Sequence, residues 1–456
     1  MTRLEALHNA KSIYDLSKLL GFKAKSISYF LYHSTEEKYY TFEIPKKNGE
    51  FRKIQAPTDK LKKLQSRLAT LLSDCFEEID RNQGYPNSLS HGFRRKHSII
   101  SNANLHKNKR YVFNIDLKDF FPTFNFGRVR GFFIKNKHFQ LSPKIATIIA
   151  QIACFDNGLP QGSPCSPIIT NLIAHLIDVR LVNLAKHAKC TYSRYADDIT
   201  FSTNRKDFPK EIAYKTNANQ WVVGNNLNAE ITKLGFTIND KKTNMQYRMS
   251  RQVATGLIVN EKVNVKREYY KKARACCQLL FEIDDFYLSE GKSGSLNQLD
   301  GILNFIYQVK RPHDKENIGP RRFKPNAITK LYREFLSYRH FFSGDKPLII
   351  CEGKTDITYL KCALKRLHPD FNQLIEFKDG KTKHKVSFLR FSDRLKDVFA
   401  ISEGTPGLTA LMEMYADLLK RFKGVGLIHP VIIVLDTDSG NKEIRKKLEE
   451  KTYEFP

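Results

Sequence analysis

The sequence predicts a multidomain chain in which an α+β part is followed by an all-α stretch and then by a second, α/β domain. Three observations predict it. The chain has 456 residues, room for about three domains of ~150 residues each. Apolar β-rich runs ending in acids alternate with helical patterns as far as residue 265: RYVFNI leads into Asp116, and CTYSRYADDITFST carries Asp197-Asp198. After residue 345 two continuous apolar strands, PLIICEG and VIIVLDTDSG, end in acids and glycine, as strands of a buried parallel sheet do. The boundaries follow as 1–265, 266–345 and 346–456.

In chain order, residues 1–32 place Leu4, Leu7, Ile13, Leu16, Leu19 and Leu20 at helical spacing and read as short helices. Two β-rich runs between Tyr39 and Ile54 flank Lys47-Asn48-Gly49, a hairpin signal. Ala56-Pro57-Thr58 then starts the helix LKKLQSRLATLLSDCF. The strand into Asp116 is followed by a turn at Pro122 and another helix. The flanks of Asp197-Asp198 read as two strands meeting at that dipeptide. Helices are predicted near 267–283, 296–310 and 327–342, the last two separated by the polar linker HDKENIGPRRFKPN.

Lys and Arg number 76 against 48 Asp and Glu, a net charge of +28. Residues 346–456 hold 20 basic and 16 acidic residues, so residues 1–345 carry most of the surplus, 56 against 32. Such an excess calls for a polyanionic partner or an anionic membrane surface, and it assigns that partner to the first three quarters of the chain. A hydrophobic share of 41% with 12% aromatics excludes disorder for most of the chain. Eight cysteines without a CxxC pair predict reduced thiols rather than zinc or disulfides. The first residues lack the apolar region of a signal peptide, and the longest apolar stretches read, Lys144 to Phe155 and Val431 to Leu435, are short for a membrane span. A cytoplasmic protein without a membrane partner is expected.

Three carboxylates of the first part stand out: Asp116 at a strand end, and the pair Asp197 and Asp198. Successive side chains on a strand face opposite ways, so both members of the pair serve one site only at a hairpin bend. Nucleotidyl transfer needs such a cluster, because two Mg²⁺ ions about 4 Å apart activate the attacking hydroxyl and hold the leaving pyrophosphate.

On these residues the sequence resembles the reverse transcriptases. Tyr195-Ala196-Asp197-Asp198 resembles their YxDD box, and Asn114-Ile115-Asp116-Leu117-Lys118-Asp119-Phe120-Phe121 the box of the first metal-binding aspartate. Leu159 to Pro167, LPQGSPCSP, is similar to the LPQGxPxSP box. Gly235 to Thr243 resembles the GFxINxxKT box, and Thr255-Gly256-Leu257 the primer grip. The resemblance implies a right-hand polymerase of fingers, palm and helical thumb, using Mg²⁺ and dNTPs, with Asp116, Asp197 and Asp198 as metal-binding catalytic residues. It implies nucleotide contacts from Leu117, Gln161, Gly162, Phe121 as the gate against a ribose 2′-hydroxyl, and Lys242 as the proton donor to pyrophosphate. Arg52 and Lys53, with Arg94 and Arg95, are candidates for triphosphate or template contacts.

Asn102-Ala103-Asn104-Leu105-His106 resembles the NAxxH signature of retron reverse transcriptases, and Ala254-Thr255-Gly256 their VTG element with alanine for valine. That resemblance implies RNA binding by Asn102, His106, Thr255 and Gly256, and a partner non-coding RNA copied into branched multicopy single-stranded DNA. In the helical stretch, Tyr269-Tyr270-Lys271-Lys272-Ala273-Arg274 mixes rings and cations as a surface gripping an RNA–DNA duplex does.

In the last part, Glu352-Gly353-Lys354-Thr355-Asp356 and Asp436-Thr437-Asp438-Ser439-Gly440 each follow a predicted strand. Residues two apart on an extended segment face the same way, so Asp436 and Asp438 can share Mg²⁺ with Glu352 alongside. Order and spacing resemble the EGxxD and DxD boxes of the TOPRIM domain, a Rossmann-like fold. The resemblance implies Glu352 as general acid or base, Asp436 and Asp438 as metal ligands, and a nucleic-acid substrate, with Gly404 and Gly407 as its glycine turn and Glu403 as a further acid. Only 18 residues follow Asp438, so a natural polypeptide continuing past Pro456 is expected. Fusion to a retron-like polymerase resembles bacterial anti-phage systems. Two other readings stay open: another bacterial reverse transcriptase of intron-maturase type, or an RNA-binding scaffold with a non-nucleolytic TOPRIM domain. Assembly into a homo-oligomer stays open as well.

Overall fold

The computed structural model describes residues 1–456 except 34–36, 47–48, 83–88, 290, 314–321, 379–380, 403, 436–443, 445 and 447–456. The chain divides into two compact units, Met1–Val263 and Asn264–Pro456.

The first unit opens with three short helices, α1 (Arg3–His8), α2 (Ile13–Leu20) and α3 (Ala24–Tyr32), the first two started by capping boxes at Thr2 and Ser12. The antiparallel hairpin β1 (Tyr39–Pro45) and β2 (Phe51–Pro57) leads into the long helix α4 (Asp59–Asn82). The predicted turn residues Lys47 and Asn48 lie outside the described residues. Next come α5 (Ile99–Leu105), capped by Ser98, then β3 (Tyr111–Asp116), α6 (Phe126–Lys135), α7 (Pro143–Ala153) and α8 (Ser166–His187). Strands β4 (Thr191–Tyr195) and β5 (Asp198–Thr203) form a tight hairpin. The small hairpin β6 (Ala213–Lys215) and β7 (Trp221–Val223) precedes α9 (Asn225–Lys233), and β8 (Asn244–Tyr247) and the hairpin β9 (Val253–Ala254) and β10 (Leu257–Ile258) end the unit.

The central sheet is antiparallel in the order β4-β5-β3-β8. Phe113 and Phe201 face each other across β3 and β5 with no exposed surface, each burial stabilising the sheet by about 2 kcal/mol. Helix α8 is apolar around most of its circumference and therefore runs through the core. Its 22 residues and mean hydropathy of 1.5 meet the length and composition of a membrane span. The sequence reading overlooked this segment, which is mostly buried inside the unit.

In the second unit the helical segment comprises Arg267–Ile283, Leu296–Lys310 and Ala327–Ser337, the last running into a π-helical turn at Tyr338–Phe342. It shares one compact body with the C-terminal α/β part. Asp397 accepts from the Tyr307 hydroxyl at 2.6 Å and from Arg311 at 2.9 and 3.1 Å. The nearly buried Arg333 donates to the carbonyls of Val398 and Arg322. Phe422 packs among Phe281, Tyr338 and Phe342, with ring centroids 5.0 to 5.3 Å apart. The α/β part has a parallel sheet of three strands with Leu348–Cys351 between Ser387–Leu389 and Val431–Val434. An antiparallel hairpin at Ile375–His384, absent from the sequence reading, is inserted before the second of these. None of the eight cysteines is in a disulfide.

Candidate active site

Register brings the site together. Asp116, the last residue of β3, pairs directly with Asp198, the first of β5. Tyr195 pairs with Asp198, so Ala196 and Asp197 form a two-residue hairpin loop, the bend the dipeptide requires. The Leu117 amide donates to the carbonyl of Asp197 at 3.1 Å, joining the two strand ends.

Two supports of this loop escaped the sequence reading. Ala196 has a φ of 56°, a region that side-chain-bearing residues adopt only when held there. The fully buried Arg194 holds it, donating to the Ala196 carbonyl at 3.0 Å while gripping buried Asp178 through two bonds of 2.7 Å. Beneath the loop sits Gly92, where a Cβ would stand 2.6 Å from the Ala196 nitrogen. A hint was available: an arginine inside a strand must be paired if that strand is buried.

The GFxIN-like segment lies along the end of β3. Leu117 bridges Ile238, and the Asn239 amide donates to the Asp116 carbonyl at 2.8 Å. The Asn239 side chain reaches the Asp116 carboxylate at 3.2 Å, and Lys242 Nζ lies 2.9 Å from both of its oxygens. Burial disfavours the Lys242 ammonium, but the bond to Asp116 and the charges of Asp197 and Asp198 outweigh it and raise the lysine's pKa. Burial, and then the Asp116 charge, raise Asp197. Asp198 keeps solvent access on one side while protein surrounds the rest, and this loss of water, followed by the Asp197 and Asp116 charges, pushes it up to about 7.

Of the two hairpin cations, Arg52 is near enough for its charge to ease Asp197. Lys53 alternates to the other face of β2. Gln161 accepts from the Gln55 amide at 2.8 Å, tying the LPQG-like loop to β2. Gly162 has a φ of 129°, and a Cβ there would meet the Gln55 carbonyl oxygen at 2.8 Å, so the close approach demands glycine. Leu117 is buried, whereas Phe121 is half-buried against Phe120 and Phe93. Arg94 and Arg95 are paired with Asp80 and Asp74 of α4, Arg94 largely buried and Arg95 half exposed.

Asn102 and His106 need correction. Both are buried, with their polar atoms bonded to Ser193, Ser202 and Thr255, so neither side chain has surface to offer RNA. Thr255 is half-buried, and Gly256 is exposed at the tip of the β9–β10 hairpin.

The donor set of Asp116, Asp197 and Asp198 suits a hard divalent cation, which would relieve the crowding of charge that raises Asp198. Lys242 stands on one of those ligands, and among the described residues no three acidic, histidine or cysteine side chains are gathered as a metal site.

In the second unit, Glu352 directly follows the central parallel strand. Its Oε1 accepts from the amide and hydroxyl of Thr405, while Oε2 is buried without a partner among the described residues. A cavity of about 370 Å³ adjoins it, lined in part by Lys354, Arg390 and Gly404. Gly407 packs where a Cβ would meet the Ser402 carbonyl oxygen at 2.1 Å. Asp436, Asp438 and Glu403 lie outside the described residues.

A polymerase sheet with carboxylates meeting at its strand ends is matched by the reverse transcriptase (RNA-dependent DNA polymerase) family over residues 44–269. The chain is 31% identical over 301 residues to the Retron Ec86 reverse transcriptase of Escherichia coli, covering 65% of this chain and 84% of that one. It is 30% identical to the Retron Mx162 reverse transcriptase of Myxococcus xanthus, over 67% of this chain and 66% of the relative. To the Retron Mx65 reverse transcriptase of the same organism it is 29% identical, over 69% and 71%. The chain is therefore an RNA-directed DNA polymerase by class. Within that class it belongs to the retron reverse transcriptases.

Proposed function

We propose that the first unit copies a retron non-coding RNA into branched multicopy single-stranded DNA, with Asp116, Asp197 and Asp198 as the catalytic residues. The observation that carries this reading is the register that opposes Asp116 to Asp198 and puts Asp197 in the adjoining bend. Mg²⁺, when bound by these carboxylates, supplies Lewis-acid activation of the attacking hydroxyl and of the phosphate. The chain's own groups do the rest. Lys242, kept protonated by its acidic neighbours, is placed to give a proton to the leaving pyrophosphate. Arg52 faces the triphosphate, Gln161 and Gly162 set the loop against β2, and the free edge of Phe121 excludes a ribose 2′-hydroxyl. Exposed Tyr269, Lys271, Lys272 and Arg274 grip duplex phosphates. Among the retron signatures, Thr255 and Gly256 meet nucleic acid, and Asn102 and His106 act behind them. Asp197→Asn is expected to abolish dNTP incorporation on an RNA template while RNA affinity stays close to wild type, because a metal-binding charge is lost and no basic surface is. Incorporation at the wild-type rate would refute the assignment.

We further infer that the C-terminal α/β part is a TOPRIM-type, Mg²⁺-dependent nuclease acting as a cytoplasmic anti-phage effector, restrained while the RNA–DNA product is bound. Supporting this is Glu352, with a carboxylate oxygen that has no partner among the described residues, at the carboxyl end of a parallel sheet, where such folds place their sites. Digesting the bound RNA–DNA is expected to release cleavage of added nucleic acid, and Glu352→Ala to suppress it with DNA synthesis intact. Cleavage that persists in the variant would make Glu352 structural.

A further inference from the structure

The NAxxH-like and VTG-like segments lie about 150 residues apart in sequence yet meet inside the first unit, in a single file of hydrogen bonds. Its polarity follows from one end. The Thr255 hydroxyl donates to the carbonyl of Ile99 at 3.2 Å, since a carbonyl only accepts. Thr255 Oγ1 then accepts from the Asn102 side-chain amide at 3.4 Å, which turns Asn102 Oδ1 toward the Ser193 hydroxyl, 2.7 Å away. Ser193 spends its proton there and so accepts from His106 Nε2 at 2.7 Å. His106 Nδ1 is left as an acceptor, and Ser202 donates to it at 2.7 Å. Five bonds thus run in one direction, and they fix the histidine as the neutral Nε2–H tautomer. His106, Ser193 and Ser202 have no exposed surface, and Asn102 has 1%.

The two ends of the file matter. Ser193 and Ser202 belong to β4 and β5, the strands that carry the Asp197-Asp198 bend. Thr255 and Gly256 form the two-residue loop between β9 and β10, both with positive φ, at 46° and 83°. A β-branched threonine is a costly choice at such a position, where asparagine or glycine is the usual solution. What threonine adds is the hydroxyl that closes the file. A second tie runs in parallel: Asn114, two residues before Asp116, donates to the Val253 carbonyl at 2.8 Å.

We propose that this file of hydrogen bonds is a positioning device that fixes the Thr255-Gly256 loop relative to β4 and β5, the strands that carry the catalytic bend, and thereby registers the 3′ end of the primer strand. His106, Ser193, Asn102 and Thr255 are positioning residues acting through the loop. The proposal rests on the reading of that loop as the primer-side contact, and the test separates the two.

The full chain is assayed for extension of a DNA primer on an RNA template. Thr255→Val, which keeps shape and strain but lacks the hydroxyl, and Ser193→Ala are each expected to raise KM for the primer–template by about tenfold or more, as a displaced binding loop does. KM for dNTP should stay near wild type, the thermal midpoint should fall by about a few degrees as the loss of one buried partner requires, and Thr255→Ser should restore primer KM. Gly256→Asn, which tolerates the backbone and places a side chain on the open loop, should raise primer KM independently of the file. If Gly256→Asn raises primer KM while Thr255→Val and Ser193→Ala leave it unchanged, the positioning device is refuted and the loop's role stands. If Gly256→Asn has no effect either, the primer-side reading fails and the proposal with it. A uniform loss of every kinetic parameter together with the thermal midpoint in Thr255→Val would show a general structural role and overturn it.

Discussion

His106 is an imidazole kept out of water, with no carboxylate beside it among the described residues. Burial first, helped by the charge of Lys109, lowers its pKa from 6.5 to about 3. Between those two values the unfolded chain binds a proton that the folded chain refuses. Stability is therefore complete above pH 6.5 and declines as pH falls toward 3. The steepest contribution is about 1.4 kcal/mol per pH unit. Thermal midpoints measured between pH 7 and pH 4 are expected to fall for the wild type and to fall less steeply for His106→Gln, which has no proton to gain. Parallel slopes would show that other groups dominate acid unfolding. The resemblance to the retron signature, rather than the residue by itself, makes His106 look like a ligand for RNA. Its partners, Ser193 and Ser202, sit 87 and 96 positions downstream, and serines in a strand carry no sign of what they face.

At the scale of the element, the β4–β5 hairpin is a loop of two residues supported from below. The bend at Asp197-Asp198 was legible because alternating runs flank it and adjacent carboxylates need a turn to share a site. The supports were not legible. Asp178 lies inside apolar helix α8, and only the three-dimensional path brings it to Arg194. Gly92 likewise carries no sign in the sequence of the backbone it lies against. Its role predicts the outcome of Gly92→Ala: the methyl group would have to push the Ala196 backbone aside, moving Asp197 by a fraction of an ångström or more. Turnover is expected to drop at least about tenfold, with a much smaller effect on the thermal midpoint because the core beneath is untouched. An active variant with wild-type turnover would mean that the hairpin accommodates the methyl group freely.

At the scale of the whole molecule, the change in composition near residue 346 was visible in the sequence, as was the parallel-sheet character of the residues beyond it. The packing of that part against the helices before it was not, because Asp397, Arg333 and Phe422 are each ordinary in their local contexts. Ending the chain after residue 345 would strip Phe422 from Phe281, Tyr338 and Phe342 and leave the Arg333 guanidinium without the Val398 carbonyl. Uncovering apolar side chains forfeits their burial, about 1.5–3 kcal/mol for each one fully exposed. A chain ending at residue 345 is expected to show a lowered first thermal transition and early proteolysis within 264–345, whereas a chain ending at residue 263 should not aggregate through that face. Equal protease resistance of residues 264–345 in the full and shortened chains would show that the helices stand alone. The same packing bears on how such proteins diversify. A recombination event that trades the last domain at residue 345 leaves two mismatched faces to be repaired by later mutation. One that trades everything from residue 264 carries both faces together, so a junction at that point leaves this packing with nothing to repair.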